Sequence, residues 1–210
     1  AERTGLDELR PNTVVYSTVI DALAKRGRAE EAEMVLREMM QSTNGSSSSN
    51  NTNQTAAIVL PNVFTFSSVM NSWSRSDAYD APNRCLALLD EMKELAKRTG
   101  KRQLQPNVVT YTTVIDSYAK RKRPQEAEDV LRLMLHDDDI SPNCFSFGSV
   151  MNAWAQSDSD EAPYRCLQLL DHLEQLYEQT GNEELRPNVI TYSIAIHAFV
   201  SRHRAQEAAN

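Results

Sequence analysis

Cysteine, glycine and histidine are all scarce in this 210-residue chain, and each scarcity closes off a class of function. Three cysteines, an odd number, do not make a disulfide framework. Two of them, Cys85 and Cys166, fall at matching places in related segments beside Leu86 and Leu167, as small buried hydrophobes would. The six glycines form no phosphate-cradling run, and no nucleophile motif occurs. His136, His172, His197 and His203 have no metal-ligand spacing among them, so neither a metal nor a cofactor is expected. Asp137, Asp138 and Asp139 form the one dense carboxylate run and read as a solvated loop. These gaps leave no catalytic residue, and the stretch is not expected to be an enzyme. No apolar run is long enough to span a membrane, and neither a membrane nor a small-molecule substrate is an expected partner. Residues 1–12 carry neither a signal peptide nor an Arg/Ser-rich transit peptide, and the chain starts without Met inside a repeating pattern, as an internal fragment would. Net charge is −7 with a pI near 5.2, an awkward balance for a nucleic-acid binder.

What the chain does contain is one segment written several times. Pro-Asn opens each copy, at Pro11-Asn12, Pro61-Asn62, Pro106-Asn107, Pro142-Asn143 and Pro187-Asn188, with starts 50, 45, 36 and 45 residues apart. Four residues past each Asn stands an aromatic: Tyr16, Phe66, Tyr111, Phe147 or Tyr192. A period of this size means stacked supersecondary units. In the copy at Pro106, Val109, Tyr111, Val114, Ile115, Tyr118 and Ala119 recur at helical spacing. The basic cluster Lys120-Arg121-Lys122-Arg123 closes that helix, and Pro124 opens a second one, where its missing N–H costs nothing. Ala127, Val130, Leu131 and Met134 make the apolar stripe of the second helix, with Gln125, Glu126, Glu128 and Asp129 expected toward solvent. One hairpin of this kind cannot bury both apolar faces alone, so it must stack. The expected fold is all-α, an α-solenoid of helix-turn-helix hairpins with four full repeats and a truncated fifth.

VVTYTTVIDSYAKRKRPQEAEDVLRLML, from residue 108, resembles a pentatricopeptide repeat, and so does TVVYSTVIDALAKRGRAEEAEMVLREMM, from residue 13, with Gly27 in the turn where a left-handed residue is wanted. Several copies in register make the resemblance specific, and the Trp/Leu-Gly/Tyr spacing of tetratricopeptide repeats is missing. The array runs over residues 1–210, with repeats at about 13–41, 63–105, 108–141, 144–186 and 189–210. The tract QSTNGSSSSNNTNQTAA interrupts it, and residues 42–57 are expected to be a disordered insertion. Its glycosylation-like triplets at Asn44, Asn50 and Asn53 read as chance matches. Repeats two and four are a longer subtype sharing PNxFxFxSVMNxWxxSD, APxRCLxLLD and TGxxxL at a shift of 81 residues. Their second helices are expected at roughly 80–99 and 160–180, capped by Asp80 and Asp160 and stopped by Gly100 and Gly181. Trp73 and Trp154 are expected in the core.

The resemblance implies single-stranded RNA as the partner, one base per repeat, in organellar RNA processing, stability or translation, in a mitochondrion or plastid. By position it pairs Ser17 with Asn62, Ser67 with Asn107, Thr112 with Asn143 and Gly148 with Asn188 as base readers, and Ser193 begins a fifth pair. Ser or Thr with Asn resembles an adenine-preferring pair, so an A-rich strand is expected; Gly148 departs from the pattern. Val14, Phe64, Val109, Phe145 and Ile190 take the base-wedging position, and Lys25, Arg75 and Lys120 the phosphate-facing one, with Gln156 and Ser201 in its place later. Each of these also has a plainer reading. Pro-Asn before a helix is a good N-cap arrangement, and the wedge residues could simply pack on a helix face. The segments 13–28, 63–76, 108–123, 144–157 and 189–204 carry +2, +1, +3, 0 and +2, leaving −15 elsewhere, so an acidic solenoid could still present a basic groove. The alternatives are a protein-interaction scaffold without RNA binding, or the specificity arm of a larger RNA-processing nuclease.

Overall fold

The computed structural model describes residues 11–44, 59–137 and 139–201. Among them are nine α-helices: α1 (Thr13–Lys25), α2 (Ala29–Asn44), α3 (Val63–Arg75), α4 (Ala81–Thr99), α5 (Val108–Ala119), α6 (Pro124–Leu135), α7 (Cys144–Gln156), α8 (Ala162–Thr180) and α9 (Val189–Ser201). Short 3-10 turns at Arg102–Leu104 and Glu183–Leu185 follow α4 and α8. The first three residues of the 42–57 tract continue α2, and the remainder, with Asn50 and Asn53, lies outside the described residues.

Consecutive odd-numbered helices pack directly on one another: α1 on α3, α3 on α5, α5 on α7 and α7 on α9. Each even-numbered helix packs on its own hairpin partner and on the next odd-numbered helix, with no comparable contact between successive even-numbered helices. Close spacing on one side and splayed spacing on the other bend the stack toward the first-helix side. That bend makes an α-solenoid with the odd-numbered helices on its concave surface. The core runs unbroken from Ile20 to Ala198, with Phe66, Tyr111 and Phe147 fully buried in the odd layer and Leu36, Leu88, Leu89, Met92, Leu131 and Met134 in the even layer.

Hairpin geometry follows local chemistry. Gly27 sits at φ 73 in the first turn, and Gly100 and Gly181 end α4 and α8 at φ 65 and 64, all left-handed positions that a Cβ disfavours. Lys122 takes the place of Gly27 in the third hairpin and still adopts φ 53. Pro82, Pro124 and Pro163 stand in the first turns of α4, α6 and α8. The second-helix caps differ from expectation. Asp80 holds the N-cap position but makes no capping bond, its carboxylate being turned to Arg84 at 3.3 Å, and the α8 cap position falls to Glu161, one residue past Asp160.

A larger correction concerns Glu128, expected in solvent and found buried. It accepts 2.9 Å from the Trp154 indole N–H and 2.5 Å from Arg132. Arg165 stacks over the Trp154 ring at 5.7 Å. The first and second hairpins repeat the arrangement: Glu33 accepts from Trp73 at 2.8 Å and from Arg37 at 2.6 Å, with Arg84 over Trp73 at 5.8 Å. A tryptophan that must bury its ring yet satisfy its N–H needs an acceptor inside the interface, and each carboxylate is flanked there by two guanidinium groups. Both interlocks join a shorter hairpin to the longer one that follows it.

Cys85 and Cys166 are fully buried, and each thiol lies 3.3 Å from a carbonyl of the preceding helix, Met70 and Met151. Burial pushes Cys85 up to about 11 and Cys166 up to about 12, so both stay protonated at neutral pH. Cys144 is only half-buried. A maleimide at pH 7.5 is therefore expected to label Cys144 first and to reach Cys85 and Cys166 only under unfolding conditions, as peptide mapping will report. Glu128→Ala is expected to lower unfolding stability by about 2–3 kcal/mol in urea titration, because the Trp154 N–H is left without an acceptor. Adding Trp154→Phe should cost much less in the Glu128→Ala background than alone.

Candidate nucleic-acid interface

The concave surface is organised by how its helices begin. Asn12, Asn62, Asn107 and Asn143 adopt extended backbone, and each Oδ1 accepts from the backbone N–H three residues on (Val15, Thr65, Thr110, Ser146) at 3.0 Å. Asn188 does the same to Thr191 at 3.2 Å. In four of the five, the hydroxyl of Thr65, Thr110, Ser146 or Thr191 accepts in return from the asparagine N–H, at 2.8 to 3.1 Å, closing a capping box. The capping reading of the asparagines is thus correct. Capping occupies Oδ1 and leaves the side-chain Nδ2, with its two N–H donors, for anything approaching from solvent.

A helix so capped has a fixed rotation. In the first four of these helices the residue four past the asparagine turns inward, and Tyr16, Phe66, Tyr111 and Phe147 are all buried, whereas Tyr192 in α9 is exposed. The residue two past it turns outward. Val14, Phe64, Val109, Phe145 and Ile190 are 71%, 54%, 61%, 64% and 66% exposed, so none packs into a helix interface. Five apolar side chains are held in solvent at the same place in five helices, which core packing cannot explain.

The hydroxyl positions are less uniform. Ser17, Thr112 and Ser193 each donate back to the carbonyl four residues earlier, at 2.6, 2.7 and 2.6 Å, so the hydroxyl oxygen is left as an acceptor. Ser67 is half-buried, Ser193 exposed and Thr112 buried. Gly148 lies 3.9 Å from Thr191 and 4.0 Å from Ile194, measured from where a Cβ would stand, so the glycine is not there to avoid a clash. Successive pairs, such as Ser67 with Asn107 and Thr112 with Asn143, belong to adjacent helices of the stack.

The cations are more committed than their sequence suggests. Lys25 pairs with Asp21 at 2.7 Å, while Arg75 is exposed. Lys120 donates to the Ser74 hydroxyl at 3.2 Å, and Arg121 spans to the carbonyls of Ser76 and Ala78 at 2.6 and 3.1 Å. Lys122 reaches Asp158 at 3.2 Å, and Arg123 pairs with Glu126 at 2.8 Å above the Tyr118 ring. This basic turn stitches the third hairpin to its neighbours on both sides. A recess of about 380 Å³ opens between Ser74–Asp77 and Lys120–Arg121. Sequence reasoning missed Arg121 as a clamp and Glu33 and Glu128 as acceptors. The one available signal was that Glu33 and Glu128 hold equivalent places in two repeats, each followed by a tryptophan-bearing one.

The Asp137 carboxylate accepts from the Tyr111 hydroxyl at 2.6 Å and lies 3.5 Å from Lys93, so it braces the hairpin rather than standing free. Burial, with this bond to a carboxylate, pushes the Tyr111 phenol up. Among the described residues no group of three His, Cys, Asp or Glu side chains could hold a metal. No described helix is long and apolar enough to cross a membrane.

Comparison with known proteins fits this geometry. Residues 106–156 match the model of a PPR repeat family, and residues 7–40 match a PPR repeat model. A chloroplastic pentatricopeptide repeat-containing protein of Arabidopsis thaliana is 26% identical over 155 residues, covering 74% of this chain and 26% of its own length. A second from the same plant is 25% identical over 195 residues, covering 92% and 28%. The chain therefore spans just over a quarter of the length of these relatives. Among solved structures, the maize pentatricopeptide repeat protein PPR10 superposes with a TM-score of 0.63 at 20% identity, over 95% of this chain and 24% of that one. The same protein in complex with an 18-nt psaJ RNA element gives 0.60 at 21% identity, with the same coverage. Repeated Pro-Asn helix starts, stacked hairpins and these matches together identify pentatricopeptide repeats in this chain, matched at residues 7–40 and 106–156.

Proposed function

We propose that this chain binds single-stranded RNA along the surface formed by the starts of α1, α3, α5, α7 and α9, one base per repeat. The observation that carries the reading is the row Val14, Phe64, Val109, Phe145 and Ile190, exposed at equivalent places in successive helices. An exposed apolar side chain offers a base a stacking partner without regard to its identity. Between consecutive members of the row stand a hydroxyl and a capped asparagine, Ser17 with Asn62, Ser67 with Asn107, and Thr112 with Asn143. Capping turns the asparagine into a donor, and back-bonding turns the Ser17 and Thr112 hydroxyls into acceptors. That polarity suits an adenine edge, with N1 accepting from Nδ2 and the N6 amine donating to Oγ. An A-rich strand is the ligand this favours. Gly148 with Asn188 offers the donor alone. Arg75 and Lys25, both exposed although Lys25 pairs with Asp21, are the cations that would face phosphates, and the chain supplies recognition rather than chemistry. An organellar setting, mitochondrion or plastid, is supported by a relative named chloroplastic, and there the bound strand would be protected, processed or translated.

Fluorescence anisotropy with short A-rich, U-rich and C-rich RNAs across a salt series tests the proposal. The A-rich strand is expected to bind tightest, with affinity falling as salt rises, because phosphate contacts release counterions. Phe64→Ala with Phe145→Ala should weaken binding of every strand by at least about tenfold, since stacking is worth about 1–3 kcal/mol per base. No binding at low salt, or an unchanged affinity in the double variant, would contradict the proposal. Asn107→Asp separates capping from reading. Aspartate caps as well as asparagine, so stability should hold within about 0.5 kcal/mol in urea titration. The lost N–H donors should weaken the A-rich strand more than the U-rich one.

A further inference from the structure

The two long hairpins differ from the others in carrying α4 and α8 well past their neighbour. Each is 19 residues against 12 for α6 between them, roughly 10 Å of extra helix. The two extensions share one backbone. Each ends on a left-handed glycine, Gly100 or Gly181, and each is followed by a 3-10 turn that buries a leucine, Leu104 or Leu185.

Their charges are opposite. Residues 93–104 carry five basic side chains and one acidic, whereas residues 174–185 carry four acidic and none basic. Three positions reverse sign, Lys93 against Glu174, Lys97 against Glu178 and Arg102 against Glu183, while Arg98 and Lys101 correspond to the neutral Gln179 and Asn182. Helix electrostatics account for one sign alone. Cations in the last turn of α4 suit the negative end of its dipole, but Glu178 near the end of α8 opposes it. The fold likewise requires neither sign, since both extensions adopt the same conformation. Lys97, Arg98, Lys101 and Arg102 are exposed and make no ion pair with a described residue, and neither do Glu178 and Glu184. Lys93 is turned to Asp137 at 3.5 Å, and Glu174 to the Tyr192 hydroxyl at 2.6 Å.

We propose that these extensions are a self-association surface. Two copies of the chain pair antiparallel about a two-fold axis close to α6, with the basic extension of each against the acidic extension of the other. The occupant is a second copy because both signs lie on one chain, on the same edge of the stack. In an antiparallel pair the spacing between extensions is identical in the two copies, so both contacts come into register together. Any other partner would need its own pair of opposite charges at that spacing. This inference does not rest on the proposed RNA reading.

Sedimentation equilibrium of the 210-residue chain tests the inference. A dimer is expected at about 0.05 M salt and a monomer at about 1 M, where the screening length falls to about 3 Å. Two variants sharpen the test. One carries Lys97→Glu, Arg98→Glu, Lys101→Glu and Arg102→Glu, making both extensions acidic; the other carries Glu178→Lys, Glu183→Lys and Glu184→Lys, making both basic. Each alone should be monomeric with unchanged helical circular dichroism, and a 1:1 mixture should restore a dimer at low salt. A wild-type chain that stays monomeric at low salt overturns the proposal without any variant. A mixture that fails to pair also overturns it, as does a first variant that loses RNA affinity while the wild type is already monomeric.

Discussion

One capped asparagine per repeat sets the geometry on which the rest depends. Its Oδ1 fixes where the first helix begins, and the start fixes the rotation of every residue that follows. Four residues on, the chain turns an aromatic into the core, and two residues on it turns an apolar side chain out to solvent. At 100° per residue these two positions lie on opposite faces, so they cannot both be buried. The same asparagine that ends a backbone problem thereby aligns Val14, Phe64, Val109, Phe145 and Ile190 into a row. Capping takes the oxygen of that side chain for the helix and leaves its amide nitrogen outward, which is the end the proposed base reading uses.

Stacking is then secured by polar groups placed between hairpins. Glu33 and Glu128 sit inside two interfaces, each held by a tryptophan N–H and two arginines, and both lie where a short hairpin meets a long one. Arg121 ties the third hairpin back to the carbonyls of the second turn, and Lys122 ties it forward to Asp158. Much of the positive charge on the first-helix segments is thereby spent on architecture. Fewer of these cations stand unpaired than the sequence implies, so the proposed RNA contact leans on stacking and edge recognition.

The hairpin stack was legible because Pro-Asn, the aromatic four residues past each asparagine and the terminal glycines are local signals repeated five, five and two times. Gly100 and Gly181 end their helices where the sequence placed the stop. The capping asparagines were legible too, as one of two readings. Glu128 was not. An acid on an amphipathic helix reads as solvent-facing, and its acceptor role depends on Trp154, which arrives from the next hairpin. Asp80 and Asp160 misled for a related reason, since in α4 the arginine one turn on competes for the carboxylate that would otherwise cap. The charge reversal between the two extensions was in plain view in the sequence, yet it acquired meaning only once both were seen to share one backbone.

The most direct test of the account is hydrogen–deuterium exchange of the chain with and without a short A-rich RNA. The account predicts slowed exchange in the first turns of α1, α3, α5 and α7, the segments that carry the capped asparagines and the exposed row, with the second helices little changed. Protection concentrated on α2, α4, α6 or α8, with the first turns of the odd-numbered helices unaffected, would contradict it.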